Sequence, residues 1–310
     1  MPALKNTWIR LVVLLLFQSL DSGAAQLQAP ASPRFNEAFS KQESIYRDQQ
    51  QEFVEGYVTD RSLSDYTSAL PSEFDRSLAN LGPEDRWLDI GAGMGQAILD
   101  YYSPRYDSMH PEGRKPGAKK ARAVALSIED RRTIFWQQAA ARLEAGQIRY
   151  LFDKRLRDYS PEELGRFEII TDVIGGFSYT EHVSLFMEKV LGFLASNGSF
   201  YTLLQDVRSD NGANKPYYQG SPFLTEIKDA AGSDVGVCSW LKSISCVEVT
   251  CEPKADWQPP IEVYRIRKVC DNVVVPTLET VHFEAGTPPE RRFRWASPSP
   301  ASPGQTAATR

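Results

Sequence analysis

The chain has 310 residues, of which 42% are hydrophobic and 24% are charged, and its formal net charge is −5 at pH 7. A chain of this size and apolar content can bury one full core, so we expect one main domain with shorter segments at its ends. A net negative chain provides no basic field to hold a phosphate backbone, and nucleic acid is therefore not an expected partner.

The first 25 residues have the pattern of an export signal. Lys5 and Arg10 precede a short apolar run over residues 11–17, and residues 22–25 are small, as at a cleavage site. The run is too short to span a bilayer, so no transmembrane span is predicted. We predict a signal peptide over residues 1–25 and an exported protein, periplasmic or secreted. If the signal is not used, the protein would be cytoplasmic or associated with a membrane surface.

Residues 26–69 are predicted to be a linker followed by a helical segment, because a Pro/Ala-rich stretch precedes a polar stretch of helical character over residues 35–57. A clearer helix is predicted over residues 72–81, where Ser72 can act as the N-cap. Its apolar residues recur at the spacing of one helix face: Phe74, Leu78 and Leu81.

Predicted strands alternate with predicted helices from residue 87 onward. One helix is predicted with Ile134, Phe135 and Leu143 facing inwards, and the next long helix buries apolar residues between positions 183 and 194. This alternation is typical of an α/β fold with a doubly wound, mostly parallel sheet. The predicted strands are residues 87–90, 123–127, 149–152, 167–172 and 199–204.

The C-terminal part changes character. A helix is predicted to start at Ser221, and residues 243–252 and 261–269 are predicted to be two strands separated by a Pro-rich connection. Residues 296–310 form a Ser/Pro/Ala-rich tail that we predict to be disordered. The main domain is therefore placed over residues 70–295.

All the cysteines of the chain lie in its last quarter. Their spacing contains no C-x2-C pair, so disulfides are predicted and a metal site is not. If Cys251 and Cys270 lie on two antiparallel strands, they sit almost opposite each other, which leaves Cys238 to pair with Cys246. The alternative is four reduced, buried thiols in a protein that is not exported.

Residues 87–96, with the sequence WLDIGAGMGQ, join an apolar strand to a loop with glycine at alternate positions. Gly91, Gly93 and Gly95 tolerate positive φ and carry no Cβ, so the backbone can lie against a ligand. The dinucleotide pattern G-x-G-x-x-G would place its third glycine at Gln96. A nicotinamide cofactor is therefore disfavoured, and the observed pattern is D-x-G-x-G-x-G.

This pattern resembles the first motif of the class I S-adenosylmethionine-dependent methyltransferases. The resemblance implies a Rossmann-like fold with a seven-stranded, mostly parallel sheet and an antiparallel C-terminal strand, and S-adenosyl-L-methionine as the cofactor. That cofactor carries a sulfonium and an ammonium but no pyrophosphate, which suits a nearby acid. In the family this loop packs against the amino-acid and ribose parts of the cofactor. The implied binding residues are Asp89, Gly91, Ala92, Gly93 and Gly95.

Three further acids follow later strands and are candidate cofactor residues. Glu129 stands where the family places its ribose-binding acid, although an acid at a helix N-terminus is the alternative interpretation. After the third strand, Asp158 or Asp153 is the candidate for the adenine side, with surface charge as the alternative. Asp172 ends an apolar strand, where a buried acid requires a partner such as the methionine ammonium or the methyl acceptor.

The predicted function is transfer of a methyl group from S-adenosylmethionine to a small-molecule or protein acceptor. Methyl transfer is an in-line displacement at an activated carbon, so it depends on alignment more than on a catalytic dyad, and no general base is assigned. His182 is as consistent with an exposed helix residue as with a proton acceptor. The alternative is an exported, non-catalytic binding domain that retains the fold, because an exported enzyme would meet little of a cofactor made in the cytosol.

Overall fold

The computed structural model describes residues 61–109, 120–205, 225–254, 261–284 and 289–295. The predicted signal peptide, the helix over residues 35–57, the helix start at Ser221 and the tail over residues 296–310 lie outside the described residues. Among those described, no helix is long and apolar enough to cross a membrane.

The strands of the described residues form two sheets. The main sheet has the order β3-β2-β1-β4-β5-β9-β8, and the smaller sheet has the order β10-β11-β6-β7. The strands are β1 (Arg86–Ile90), β2 (Arg122–Leu126), β3 (Ile148–Leu151), β4 (Phe167–Asp172), β5 (Leu194–Gln205), β6 (Thr225–Lys228), β7 (Asp234–Val235), β8 (Val247–Lys254), β9 (Ile261–Lys268), β10 (Leu278–Glu284) and β11 (Glu290–Trp295).

Three of the helices begin where a side chain satisfies a free backbone N–H group. The hydroxyl of Ser62 caps the first helix, that of Thr133 caps the fifth, and that of Ser160 caps the sixth. The helices are α1 (Leu63–Ala69), α2 (Glu73–Ala79), α3 (Gln96–Tyr101), α4 (Pro104–Met109), α5 (Ile134–Arg142), α6 (Pro161–Leu164), α7 (Gly176–Tyr179), α8 (Val183–Phe193) and α9 (Val237–Lys242).

The main sheet confirms the predicted fold class. Strands β1 to β5 pair in parallel, β9 is antiparallel to β5, and β8 is antiparallel to β9. Alternate side chains of each central strand enter different cores: Trp87 belongs to one and Leu88 to the other. The helices therefore cover both faces of the sheet, as the near-continuous apolar strands require.

Two details of the predicted helices are wrong. Ile134 and Phe135 are 59% and 69% exposed, whereas Trp136 is 3% exposed. The buried face follows Trp136, because its ring packs against Tyr150 with a centroid distance of 5.3 Å. Ser72 directly precedes α2, but its side chain makes no capping hydrogen bond to that helix.

Strand β5 starts earlier than predicted. Leu194, which was expected to close α8, pairs with Phe167, and the ladder then shifts register before Ile169. Asn197 adopts a φ of 65° in this stretch, a conformation that Asn tolerates better than most residues. Residues 195–198 thus form an irregularity within the start of β5.

The four-stranded sheet was not predicted. Its inner strand β11 reads ERRFRW, which has the composition of a surface segment, but Arg291 and Phe293 face inwards and are buried. The pairing of β11 with β6 is parallel and joins segments more than sixty positions apart. No local pattern in the sequence reports such a pairing.

Both disulfides differ from the predicted pairing. The structure joins Cys238 to Cys251, with 6.1 Å between their Cα atoms, and Cys246 to Cys270, with 5.0 Å. In the ladder of β8 and β9, Cys251 stands opposite Tyr264, and Cys270 lies beyond the end of β9. The predicted strand register was wrong, so Cys251 reaches α9 and not the opposite strand.

Candidate cofactor site

The loop after β1 has the conformation that its glycines permit. Gly91, Gly93 and Gly95 have φ values of 72°, 56° and 80°. The N–H groups of Gly91 and Ala92 both donate to the carbonyl oxygen of Leu126, at 2.9 and 3.1 Å. The loop is thereby tied to the end of β2, and α3 starts directly after Gly95.

Two of these glycines are also required by contacts within the protein. A Cβ on Gly91 would lie 2.9 Å from the Cα of Gly175, in the loop after β4. A Cβ on Gly95 would overlap the indole ring of Trp136 on α5. The glycine loop therefore touches the loop after β4 backbone to backbone, at the point between β1 and β4 where a doubly wound sheet opens its ligand crevice.

Asp89 is the centre of a buried hydrogen-bond network. The hydroxyl of Tyr66 lies 3.0 Å from each carboxylate oxygen of Asp89, and the hydroxyl of Thr171 donates to Oδ1 at 2.7 Å. The indole N–H of Trp87 donates to the Thr171 hydroxyl at 2.9 Å. Burial raises the pKa of Asp89 to about 7, and the bonds from Thr171 and Tyr66 oppose that rise.

Asp172 is equally buried but faces its own loop. One carboxylate oxygen accepts the N–H of Gly175 at 2.8 Å, and the other accepts the N–H of Phe177 at 3.0 Å. Burial raises the pKa of Asp172 to about 7 against these bonds. Its partners are therefore backbone N–H groups of residues 175–177, and the carboxylate holds that loop in place.

The same loop contains a strained residue. Ile174 has a φ of 55°, in the left-handed region that β-branched residues rarely adopt. Such a conformation costs about 1–3 kcal/mol and is retained only where surrounding contacts enforce it. The hydrogen bonds from the N–H groups of Gly175 and Phe177 back to the carboxylate of Asp172 span this bend and supply that enforcement.

Residues after β2 reach the glycine loop through Tyr150. Its hydroxyl donates to the carbonyl oxygen of Gly93 and lies 3.3 Å from the N–H of Arg131. Glu129, the predicted ribose acid, forms an ion pair with Arg131, and Asp130 binds Arg132 at 2.6 Å. The hydrogen bonds from Arg132 lower the pKa of Asp130. Tyr150 thus connects the backbone of Glu129 to the glycine loop, and the carboxylate of Glu129 is already paired with Arg131.

The two candidate acids after β3 are placed differently. The half-exposed carboxylate of Asp158 accepts the N–H of Arg155 at 2.9 Å and closes a helical turn over residues 156–158. Asp153 has a φ of 66° and lies two residues beyond the end of β3. Desolvation and then the charge of Asp130 raise the pKa of Asp153.

No family model matches the chain, and no curated protein matches its sequence. Solved structures do match. A Listeria monocytogenes protein assigned to the S-adenosylmethionine-dependent methyltransferases is 15% identical, with a TM-score of 0.38; the match covers 64% of this chain and 96% of that chain. A geranyl diphosphate methyltransferase in complex with S-adenosylmethionine is 10% identical, with a TM-score of 0.42 and coverage of 64% and 84%. A candidate exported protein from Bordetella parapertussis is 14% identical, with a TM-score of 0.41 and coverage of 64% and 67%.

The strand order β3-β2-β1-β4-β5-β9-β8, with a glycine loop directly after β1, is the arrangement that the sequence resemblance implies. The chain therefore has a doubly wound α/β fold with the strand order that the resemblance to the class I methyltransferases implies. Within that fold, Asp89, the glycine loop and Asp172 meet at the carboxyl ends of β1 and β4. The backbone carbonyl of Glu129 contacts the same Tyr150 hydroxyl that donates to Gly93, whereas Asp158 is engaged in its own turn.

Sequence reasoning missed Tyr66 and Thr171, the two side chains that bind Asp89. Thr171 could have been predicted from the sequence. If β1 and β4 are assumed to be parallel neighbours, their register places Thr171 opposite Asp89. Tyr66 could not have been predicted in this way, since it approaches from a helix outside the strand pattern. His182 is half-exposed at the start of α8, and its Nε2 lies 2.9 Å from a carboxylate oxygen of Glu181.

Proposed function

We propose that the protein is an S-adenosylmethionine-dependent methyltransferase acting on a small-molecule or protein acceptor. The observation that carries the proposal is the buried carboxylate of Asp89 beside a glycine loop with three positive φ values, at the crevice between β1 and β4. Ligands of doubly wound sheets bind at this switch point.

The chemistry of the residues fits the cofactor. S-adenosylmethionine carries a sulfonium and an ammonium, and a cation is a favourable partner for an ionised, buried carboxylate. Asp89 is proposed to bind the methionine ammonium, either directly or through one water. Gly91, Ala92, Gly93 and Gly95 then form the surface against which the cofactor lies, and Asp172 acts by holding the neighbouring loop.

Glu129 is proposed to accept the ribose hydroxyls. Its ion pair with Arg131 leaves acceptor capacity on the carboxylate, which has four lone-pair sites. For the adenine side we favour Asp153 over Asp158, because Asp153 lies only two residues beyond the end of β3 and the charge of Asp130 contributes to raising its pKa. Asp158 already caps its own turn.

The bound cofactor would supply an activated methyl group on its sulfonium. The chain contributes orientation and exclusion of water, which account for most of the rate of an in-line methyl transfer. The loop over residues 172–177 borders the crevice, so the methyl acceptor is proposed to approach past this loop. No residue is assigned as general base.

The two disulfides support an oxidising compartment and therefore export. Peptide mapping of the exported protein without reductant tests this point. We expect linked peptides containing Cys238 with Cys251 and Cys246 with Cys270. Four free thiols would contradict the proposed localisation.

Calorimetric titration of the mature protein with S-adenosylmethionine and with S-adenosylhomocysteine tests the proposed function. We expect saturable binding of both at one site, and no binding of NADH. Asp89→Ala should abolish the signal, and Glu129→Gln should weaken it. Absence of any response from the wild-type protein would remove the basis of the proposal.

Turnover is tested with cofactor carrying a labelled methyl group, incubated with the protein and an extract of the compartment to which it is exported. Transfer of label to an acceptor, lost in Asp89→Ala, is the expected result. Cofactor binding without transfer would instead favour the non-catalytic binding domain.

A further inference from the structure

Four buried side chains form one directed chain of hydrogen bonds that ends on Asp89. Trp87 donates to Thr171, Thr171 donates to Asp89, and Tyr66 donates to the same carboxylate. Trp87, Thr171 and Asp89 have no exposed surface, and Tyr66 is 2% exposed. These hydrogen bonds connect α1, β1 and β4. Of the four residues, only Asp89 belongs to the D-x-G-x-G-x-G motif.

The direction of each bond follows from chemistry. An indole N–H can only donate, so the hydroxyl oxygen of Thr171 accepts from Trp87. Its one hydrogen is then directed to Asp89 at 2.7 Å, since the alternative acceptor, the carbonyl of Leu88, lies at 3.5 Å. Tyr66 likewise donates its hydroxyl hydrogen. Both hydroxyls therefore stabilise the ionised carboxylate over its protonated form.

We propose that Tyr66 is a positioning residue for cofactor binding, which keeps Asp89 ionised and oriented towards the crevice and so makes helix α1 part of the cofactor site. This inference rests on the proposed function. A cationic methionine group binds an ionised carboxylate more tightly than a neutral one, so the ionisation of Asp89 sets the affinity.

The charged and titratable groups around Asp89 agree with this role. From the segment before α1, the charge of Arg61 lowers the pKa of Asp89, and from β4 the charge of Asp172 raises it. Tyr66 lowers the pKa of Asp89 through its hydrogen bond, and burial beside Asp89 raises the pKa of Tyr66 well above its usual range. The phenol therefore remains protonated and stays a donor throughout the neutral range.

Helix α1 has other contacts that hold it in place. Ser62 and Asp65 form a capping box at its start, and the N–H of Leu63 donates to Asp100 of α3 at 2.9 Å. The ring of Tyr66 packs near that of Phe74, with centroids 6.4 Å apart. Removing only the hydroxyl of Tyr66 should therefore leave the helix folded.

The test compares Tyr66→Phe with Tyr201→Phe as a matched control. Tyr201 is also fully buried, contacts the same Phe74 ring at 5.2 Å, and donates to a neutral hydroxyl, that of Ser77 at 3.0 Å. Each variant loses one buried tyrosine hydroxyl, but only Tyr66→Phe removes a donor from the carboxylate of Asp89.

Affinity for S-adenosylmethionine is measured by calorimetry from pH 5.5 to 9 for the wild-type protein and both variants. For the wild type we expect affinity to rise with pH around pH 7. Tyr66→Phe should move this midpoint up by about one pH unit, which is about a tenfold loss of affinity below the midpoint and little loss at pH 9. Tyr201→Phe should leave the midpoint unchanged.

An unchanged midpoint in Tyr66→Phe would overturn the inference, as would an equal shift in both variants. Titration of 13C-labelled aspartate by NMR follows the carboxyl of Asp89 without cofactor. If the wild-type protein binds no S-adenosylmethionine, the proposed function fails, and the NMR titration still decides whether Tyr66 sets the ionisation of Asp89.

Discussion

Two of the described regions that bury a charged side chain do so for different purposes. At the crevice, Asp89 is held by two hydroxyl donors, and its pKa is raised to about 7. At the junction with the smaller sheet, Arg291 donates to the carbonyls of Phe177 and Thr180 at 2.8 and 2.9 Å and to the hydroxyl of Thr225 at 2.9 Å. Burial lowers the pKa of Arg291 to about 10.

The different pKa values of Asp89 and Arg291 indicate which buried charge can respond to a ligand. Arg291 remains a cation at neutral pH and joins β11 to the last turn of α7, so its charge is structural. Asp89 lies near its midpoint at neutral pH, so a bound cation can shift its ionisation. Four sets of measurements test this difference, and they follow in order of decreasing expected effect.

Arg291→Met should lower the free energy of unfolding by about 4 kcal/mol, because two buried carbonyls on residues 177–180 lose their donors. Arg292→Met is the control, since Arg292 is half-exposed and its ion pairs with Glu290 and Glu226 are worth about 0.5 kcal/mol. Urea unfolding without reductant measures both. Similar losses in the two variants would show that Arg291 does not join the smaller sheet to α7.

Gly91→Ala tests the backbone contact at the crevice. Its φ is 72° and the new Cβ would lie 2.9 Å from Gly175, whereas Gly232 has a φ of 83° with open space around it. We expect Gly91→Ala to cost about 3 kcal/mol and Gly232→Ala about 1 kcal/mol, the second being the cost of conformation alone. Thermal unfolding gives both values, and equal costs would mean that the two loops do not touch.

The pH dependence of stability distinguishes the two buried charges. The pKa of Asp89 is higher in the folded protein than in the unfolded chain, so its protonation stabilises the fold at low pH. That stability is fully present below about pH 4 and is lost as the pH rises to about 7. The lowered pKa of Arg291 makes the free energy of unfolding depend on pH only above about pH 10.

Unfolding free energies from pH 5 to pH 8 should therefore fall less steeply in Asp89→Asn than in the wild-type protein. The difference between the two slopes reports the titration of Asp89 together with its charge coupling to Asp172. Parallel slopes would show that Asp89 titrates normally in the folded state.

The smallest effect concerns the adenine side. Asp153→Asn should weaken S-adenosylmethionine binding about fivefold, as loss of one hydrogen bond predicts. Asp158→Asn should leave affinity unchanged and reduce stability by about 0.5 kcal/mol, because Asp158 caps a turn. Calorimetric titration of the two variants decides between these acids, and the reverse order of effects would restore Asp158 to the site.

Much of the site could be predicted because its residues are local in sequence. Asp89 and the three glycines follow one strand, and their spacing alone indicates a cofactor loop. Glu129 and Asp172 were found for the same reason, as acids at strand ends. Thr171 and Tyr66 were missed because they act across the sheet and from a separate helix, and neither carries a pattern of its own.

Local sequence patterns were enough to predict the α/β alternation, the parallel centre of the main sheet and the position of the glycine loop. Each of these depends on the period of apolar residues or on the conformational freedom of glycine, which are local properties. The tertiary structure alone decided the disulfide pairing, the smaller sheet and the partners of Asp89, because strand register and the packing of α1 bring together residues that are distant in sequence. The ionisation of Asp89 belongs to the second group, since burial and its two hydroxyl donors set it.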